Sequence, residues 1–240
     1  MNARRADLEL VARGLFASRA KAAGAIAAGL VRVDGRPVRK ASETIPPDAN
    51  IEAHAPYPWV SRGGVKLAAA LDAFDVDPTG RTCLDVGAST GGFTDVLLAR
   101  GAKHVTAVDV GHGQAHPKIA GDARVKLLEK LDARALTRTH LPARPTLVVM
   151  DASFISLTLI LPPVLPLAGP DADLVALVKP QFEGAANKSG IVRDETEREA
   201  AFDRVAACIG ALGWTVRSTA PSPIAGGDGN IETLLHARRA

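Results

Sequence analysis

The stretch LDVGASTGGFTDVLLARGAKHVTAVDVG, Leu84 to Gly111, constrains the fold of this chain more than any other. It reads as an apolar strand, a glycine-rich turn, an amphipathic helical run and a second strand that ends in an acid. In an open α/β sheet such a turn sits beyond the C-terminal ends of the strands, where ligands bind. Glycines let the backbone turn sharply and let a ligand approach where a Cβ would collide. A nicotinamide or flavin site reads G-x-G-x-x-G, with a helix N-terminus on the pyrophosphate. The spacing here, Gly87 through Gly91-Gly92, is G-x-x-x-G-G, with Ser89 inside the turn, Phe93 just after it and Asp85 at its root. Asp109, one strand later, can accept hydrogen bonds from ribose hydroxyls. A carboxylate at the root suits a ligand with a cationic end. S-adenosylmethionine has an ammonium and a sulfonium and no phosphate, and the pattern favours it. A dinucleotide, or a turn that only packs strand on helix, stays open on this pattern alone.

The surrounding chain alternates strand and helix. Apolar runs predict strands at 82–86, 104–109, 125–128, 146–150, 173–179, 213–219 and 231–238, with helices between most of them. Several helical crossovers imply an α/β, Rossmann-like fold with a mainly parallel, doubly wound sheet. With 47% hydrophobic but only 4% aromatic residues, Val, Leu, Ile and Ala must fill its core. No apolar run reaches the roughly 20 residues of a membrane span. The opening MNARRADLEL turns charged at once, without the apolar core of a secretion signal. Cys83 and Cys208 have no disulfide or metal spacing and read as small buried hydrophobes in a reducing compartment. A cytoplasmic protein that does not enter the membrane is expected.

Residues 1–55 differ in character. Within residues 1–40, nine Lys/Arg face three acids, a local excess of six positive charges in a chain of net charge +3. Such a concentration is the footprint of a polyanionic partner. A helix over 6–13 ends near Gly14, and a second runs from Ser18, a fitting N-cap, to about Ala28. LVRVDGRPV then forms two short β runs around Asp34-Gly35, a strong hairpin turn, and IEAH adds a last strand. APYPWVSRGG, with two prolines and two glycines, marks a linker at 56–61, which leaves 62–240 as the second domain. Arg5-x-Asp7, SRAKA, Ile26-x-x-Gly29 and VRVDGRPV resemble the small α+β RNA-binding module named after ribosomal protein S-four. That resemblance implies RNA contacts from Arg5, Ser18, Arg19, Lys21 and Arg36.

Charges also stand where they are costly. Asp151 follows the apolar TLVVM, Lys179 follows DLVALV, and Glu232 lies beside the apolar residues of the last strand. Asp151 and Lys179 cap strand ends on the same edge as the glycine turn, and Lys66 lies in the first turns of a helix starting at VSRGG. VSRGGVKL, LDVGASTGGFTD, AVDVGHGQ, VVMDASFISL, LVKPQFE and GNIETLL together resemble the TlyA family of rRNA 2′-O-methyltransferases, some of whose members carry the label hemolysin. The catalytic domain of that family is of the FtsJ/RrmJ type, and the resemblance runs nearly end to end. It implies S-adenosylmethionine as methyl donor and a ribose in ribosomal RNA, that of cytidine, as acceptor. Ribosomal RNA or subunits are the expected partners, with no membrane and no obligate protein partner. The Lys-Asp-Lys-Glu tetrad of the family falls on Lys66, Asp151, Lys179 and Glu232, and Asp132 falls near the adenine.

The chemistry gives a reason for these residue types. A ribose hydroxyl is a very weak acid and needs a base or a cationic neighbour as it attacks a methyl group. Lys179 is the candidate base, since burial and a second cation such as Lys66 lower a lysine pKa, while Asp151 and Glu232 orient the two ammonium groups and the hydroxyl and oppose that shift in part. Other readings are weaker. His112 and His116 have no carboxylate or cysteine to complete a metal site. Ser153 and Ser156 lack a suitably placed histidine. An RNA-binding protein with an inactive methyltransferase fold would not need all four tetrad members. A pseudouridine synthase would leave the glycine turn unexplained, and no amphipathic or spanning segment supports membrane lysis.

Overall fold

The computed structural model describes residues 3–16, 18–184 and 190–239. The chain divides into two compact units, Met1–Pro58 and Trp59–Ala240. The first contains β1 (Arg4–Arg5), α1 (Ala6–Ala12), α2 (Arg19–Ala27), β2 (Val31–Val33), β3 (Arg36–Pro37), β4 (Thr44–Ile45) and β5 (Ile51–Ala53). Ser18 caps α2 by accepting from the Lys21 N–H at 3.3 Å. β2 pairs with β3 and β5, and the hairpin turns at Asp34-Gly35, both with positive φ as a tight two-residue turn requires. β1 pairs with β4, Arg4 opposite Ile45. That pairing was not expected, because two-residue strands some 40 positions apart carry no periodic signal. Leu10, Ile26, Val31 and Ile45 centre the core of this unit.

The second unit is a seven-stranded sheet covered by helices. Its elements are α3 (Gly63–Phe74), β6 (Thr82–Val86), α4 (Gly92–Ala99), β7 (His104–Val108), α5 (Pro117–Ala120), β8 (Val125–Leu128), β9 (Leu147–Met150), α6 (Leu157–Val164), β10 (Asp173–Val178), α7 (Pro180–Glu183), α8 (Glu195–Ala211), β11 (Trp214–Pro221) and β12 (Thr233–Arg239). The strand order is β11-β12-β10-β9-β6-β7-β8. Pairs among β10, β9, β6, β7 and β8 are all parallel, and β12 runs antiparallel to both its neighbours. All four residues of β9 are buried, as expected of a strand covered on both faces. The two faces carry separate apolar clusters, one around Leu84, Val148 and Leu161, the other around Leu67, Leu97 and Val149. The mainly parallel, doubly wound architecture expected from the sequence is present.

Two details decide where the functional groups go. The parallel strands end on one edge, and an antiparallel strand starts on that same edge. β12 begins at Thr233, paired with Val178, so Glu232 lies one residue ahead of the strand and beside Lys179. The expected strand at 231–238 thus starts two residues late. Cys83 is buried and its thiol is pushed up to about 12, chiefly by burial, which leaves it inert.

Candidate active site

The glycine turn joins β6 to α4. Gly87 has φ +81, and a Cβ there would stand 2.9 Å from the Asp151 carbonyl oxygen. Only glycine allows the turn to run against the end of β9. Beside it opens a cavity of about 480 Å³. Gly87, Ser89, Asp109 and Asp132 line it, together with Gln114, Asp151, Ser153 and Phe154. Asp109 accepts from the Ser89 and Gly111 N–H groups at 2.7 and 2.6 Å, which fixes its carboxylate at the rim. Asp132 caps a short 3-10 turn and is paired with Arg134 at 2.6 Å.

Four of the residues expected at the cofactor do not line this cavity. Gly91, with φ +92, faces Ile119, 2.7 Å from where its Cβ would be, so the glycine serves packing of α4 on α5. Gly92 is packed against Ser61 and Gly64, and Phe93 is buried in the core. Asp85 lies beneath the turn, fully buried. Its Oδ2 accepts from the Thr94 hydroxyl at 2.6 Å, and its Oδ1 has no partner. Burial pushes this carboxyl up to about 7, against the Thr94 hydrogen bond, with the charges of Asp151 and Asp109 adding to the rise.

The tetrad residues form two ion pairs on this edge. Lys179 Nζ is 2.7 Å from Asp151 Oδ1 and donates to Ser153 Oγ at 2.8 Å. Lys66 Nζ donates to Glu232 Oε2 at 2.5 Å. Both lysines are buried, and each has a carboxylate within direct reach. Gly63, one turn before Lys66 on α3, places its missing Cβ 3.6 Å from Asp151 Oδ2, so α3 brings the second pair against the first. Asp151 and Ser153 line the cavity, whereas Lys179, Lys66 and Glu232 are not part of its lining. Among the described residues no group of His, Cys, Asp or Glu is arranged to hold a metal ion.

The FtsJ-like methyltransferase family model matches residues 59–239, and the S4 domain model matches residues 4–51. The chain belongs to the FtsJ-like methyltransferase family. Among its relatives, the 16S/23S rRNA (cytidine-2′-O)-methyltransferase TlyA of Mycobacterium tuberculosis is 46% identical over 98% of this chain and 89% of that protein. Hemolysin A of Brachyspira hyodysenteriae is 39% identical over 97% of this chain and 98% of its own. A solved hemolysin-labelled structure from Streptococcus thermophilus covers all of this chain and 90% of its own, at 38% identity and TM-score 0.78. No described helix is long and apolar enough to cross a membrane.

The S4 unit positions its expected RNA contacts differently from one another. Arg5 and Arg19 both bind Asp7, at 3.0 and 2.8 Å, and hold that acid down at about 2, Arg5 contributing first. Ser18 is engaged as the helix cap. Lys21 Nζ stands 5.4 Å from the centre of the Tyr57 ring, and Arg36 is exposed beside a groove lined by Val33 and Thr44. Several site features lay outside the sequence reading. Phe154 is 86% exposed at the cavity and has φ +66, and Glu183 is buried behind it. Asp228 accepts from Gln181 Nε2 at 2.9 Å, tying the loop before Glu232 to the turn after Lys179.

Proposed function

We propose that this chain transfers a methyl group from S-adenosylmethionine to the 2′-hydroxyl of a ribose in ribosomal RNA, the ribose of a cytidine. The observation that carries the reading is the pair of buried Lys–carboxylate contacts beside a cavity with an acid at its rim. The chemistry around the cavity fits S-adenosylmethionine: Asp109 at the rim suits ribose hydroxyls, and the orphaned Oδ1 of Asp85, buried beneath the turn, suits a nearby cationic end. Gly87, Ser89, Asp109 and Asp132 would hold it, with Asp85 acting from beneath. When bound, it supplies an activated methyl group. Gly91, Gly92 and Phe93 would shape the turn from behind rather than touch the ligand.

The tetrad then acts on the acceptor. Asp151 and Ser153, which line the cavity, hold Lys179 Nζ next to it, where the ammonium stabilises the developing alkoxide or, in its neutral form, the amine takes the hydroxyl proton. Lys66 and Glu232, clasped behind it, add a second cation and fix its orientation. Positioning supplies much of the rate, because the methyl group is already activated. Phe154 offers an exposed aromatic face on which the acceptor base stacks; such stacking contributes about 1–3 kcal/mol. Arg5, Arg19, Lys21 and Arg36 of the S4 unit supply affinity for RNA phosphates, with Ser18 fixing the helix that bears two of them. A cytoplasmic setting follows from this acceptor. The test is transfer of radiolabelled methyl groups to purified ribosomal subunits, followed by mapping of 2′-O-methyl sites. Absence of any site dependent on this protein would reject the reading.

A further inference from the structure

The loop between β9 and α6 carries both Ser153, on Lys179, and Phe154. Phe154 sits in the left-handed backbone region, which a side chain with a Cβ and an aromatic ring does not adopt without being held there. Phe154 is 86% exposed, and among the described residues its ring meets one other aromatic ring, Phe182, at 5.4 Å between centroids. Something else must hold the loop.

The candidate is Glu183, the last residue of α7, which is 4% exposed. Its Oε1 accepts from the Leu157 N–H at 2.8 Å and its Oε2 accepts from the Ser156 hydroxyl at 2.5 Å. Leu157 opens α6, so the carboxylate occupies the positive end of that helix. Arg204 Nε of α8 donates to the Glu183 backbone carbonyl at 2.7 Å and fixes the acid from the other side. Two segments are thereby fastened along their length: 151–157 and 179–183 meet through Lys179 at one end, Phe154 and Phe182 in the middle, and Glu183 at the other end. Burial pushes the Glu183 carboxyl up, against its two hydrogen bonds to Leu157 and Ser156.

We propose that Glu183 is a positioning residue of the transfer reaction, which holds Phe154 in its strained conformation and so presents the aromatic face to the acceptor nucleoside. The proposal rests on the reading of Phe154 as a contact of the acceptor base. Glu183 itself does not line the cavity. Its action on the acceptor is therefore indirect; the loop it holds lines the donor cavity at Asp151, Ser153 and Phe154, alongside the donor residues after β6 and β7, so donor affinity is measured separately.

The test uses the full chain and the variants Glu183→Ala, Glu183→Gln, Phe154→Ala and Glu183→Ala with Phe154→Ala. Amide hydrogen exchange at residues 154–158 reads the clasp without any substrate. Exchange should quicken by tenfold or more in Glu183→Ala and less in Glu183→Gln, which keeps one acceptor oxygen. Steady-state methyl transfer reads the consequence. Glu183→Ala should raise the KM for ribosomal subunits about tenfold, with kcat lowered less and S-adenosylmethionine affinity within twofold. In the Phe154→Ala background the same substitution should add less than about threefold, because residues acting through one another are not additive. An undiminished, additive loss, a matching fall in donor affinity, or unchanged exchange would each overturn the proposal. Faster exchange with normal Phe154→Ala kinetics would instead reject Phe154 as the acceptor contact, and with it this role of Glu183. Absence of methyl transfer by the unaltered chain would reject the acceptor assignment itself.

Discussion

Replacing Asp85 by Asn tests the buried carboxyl beneath the glycine turn. Asp85 has no solvent contact, one hydrogen bond and one orphaned oxygen, and its pKa rises from the ordinary 3.8 to about 7. A carboxyl whose folded value is raised favours folding at pH values where both states are protonated. Its contribution is lost as pH climbs from about 4 to about 7, because only the unfolded chain then ionises. At about 1.4 kcal/mol per pH unit that interval amounts to about 4 kcal/mol as an upper bound. Asn cannot ionise and keeps an oxygen for Thr94, but it brings an NH2 group that costs about 1–3 kcal/mol if unpaired. The absolute change at one pH is therefore smaller than the change between two. Urea unfolding of the ligand-free proteins at pH 5 and pH 8 should show the variant gaining about 3 kcal/mol relative to the parent over that range. Donor binding should move the other way: calorimetry at pH 8 should find S-adenosylmethionine bound at least tenfold more weakly. In the parent at pH 6, binding should release protons, since a cation beside Asp85 favours its ionised form. Parallel stability curves for the two proteins would refute the assignment of the pH dependence to Asp85. Unchanged donor affinity would refute its role toward the cationic end.

Three other perturbations address the rest of the chain. Lys179→Ala should lower turnover by roughly 100-fold or more with little change in donor affinity, and Lys179→Arg, which keeps charge but not a removable proton, should also fail if Lys179 is the base. A near-normal rate for the Arg variant in single-turnover methyl transfer would leave only an electrostatic role. Gly91→Val should lower the thermal midpoint markedly, since it meets both Ile119 and a positive φ; a stable variant that has lost only donor binding would contradict the packing described for α4. Arg19→Ala should weaken RNA binding and reduce the slope of log affinity against log salt by about one phosphate contact, whereas a purely structural Arg19–Asp7 pair would lower stability and leave the slope alone.

Strand ends were legible in the sequence where an apolar run stops at a charge. TLVVM before Asp151 and DLVALV before Lys179 define both strand and edge, because a buried strand leaves its polar residues to the ends. Glu232 could be placed only approximately, since nothing local distinguishes a residue inside β12 from one just ahead of it. The faces of the glycine turn were not legible either. Gly87 and Gly91 share a residue type and a positive φ, yet one runs against the end of β9 and the other against Ile119. Asp85 fits a ligand contact by pattern, but its solvent-free setting and orphaned oxygen depend on the packing of Thr94 above it. Phe154 and Glu183 fall inside VVMDASFISL and LVKPQFE, but neither motif shows that the two act together, because their relation spans 29 positions and exists only once β9 and β10 lie side by side.

The placement of β12 between β10 and β11 has a consequence for how the protein acquires activity. The Lys66–Glu232 contact joins residues 166 positions apart, a far longer chain closure than any within the β6–β7 turn region. Contacts of that separation form slowly, since the entropy of closing the loop is lost before the contact rewards it. The cavity that receives the donor is lined by residues between Val86 and Ile160 and can assemble before the C-terminal strands dock, while the second lysine stays without its carboxylate until the final hairpin has entered the sheet. During synthesis and refolding, donor binding should accordingly appear before methyl transfer, and the interval between them measures the docking of one strand.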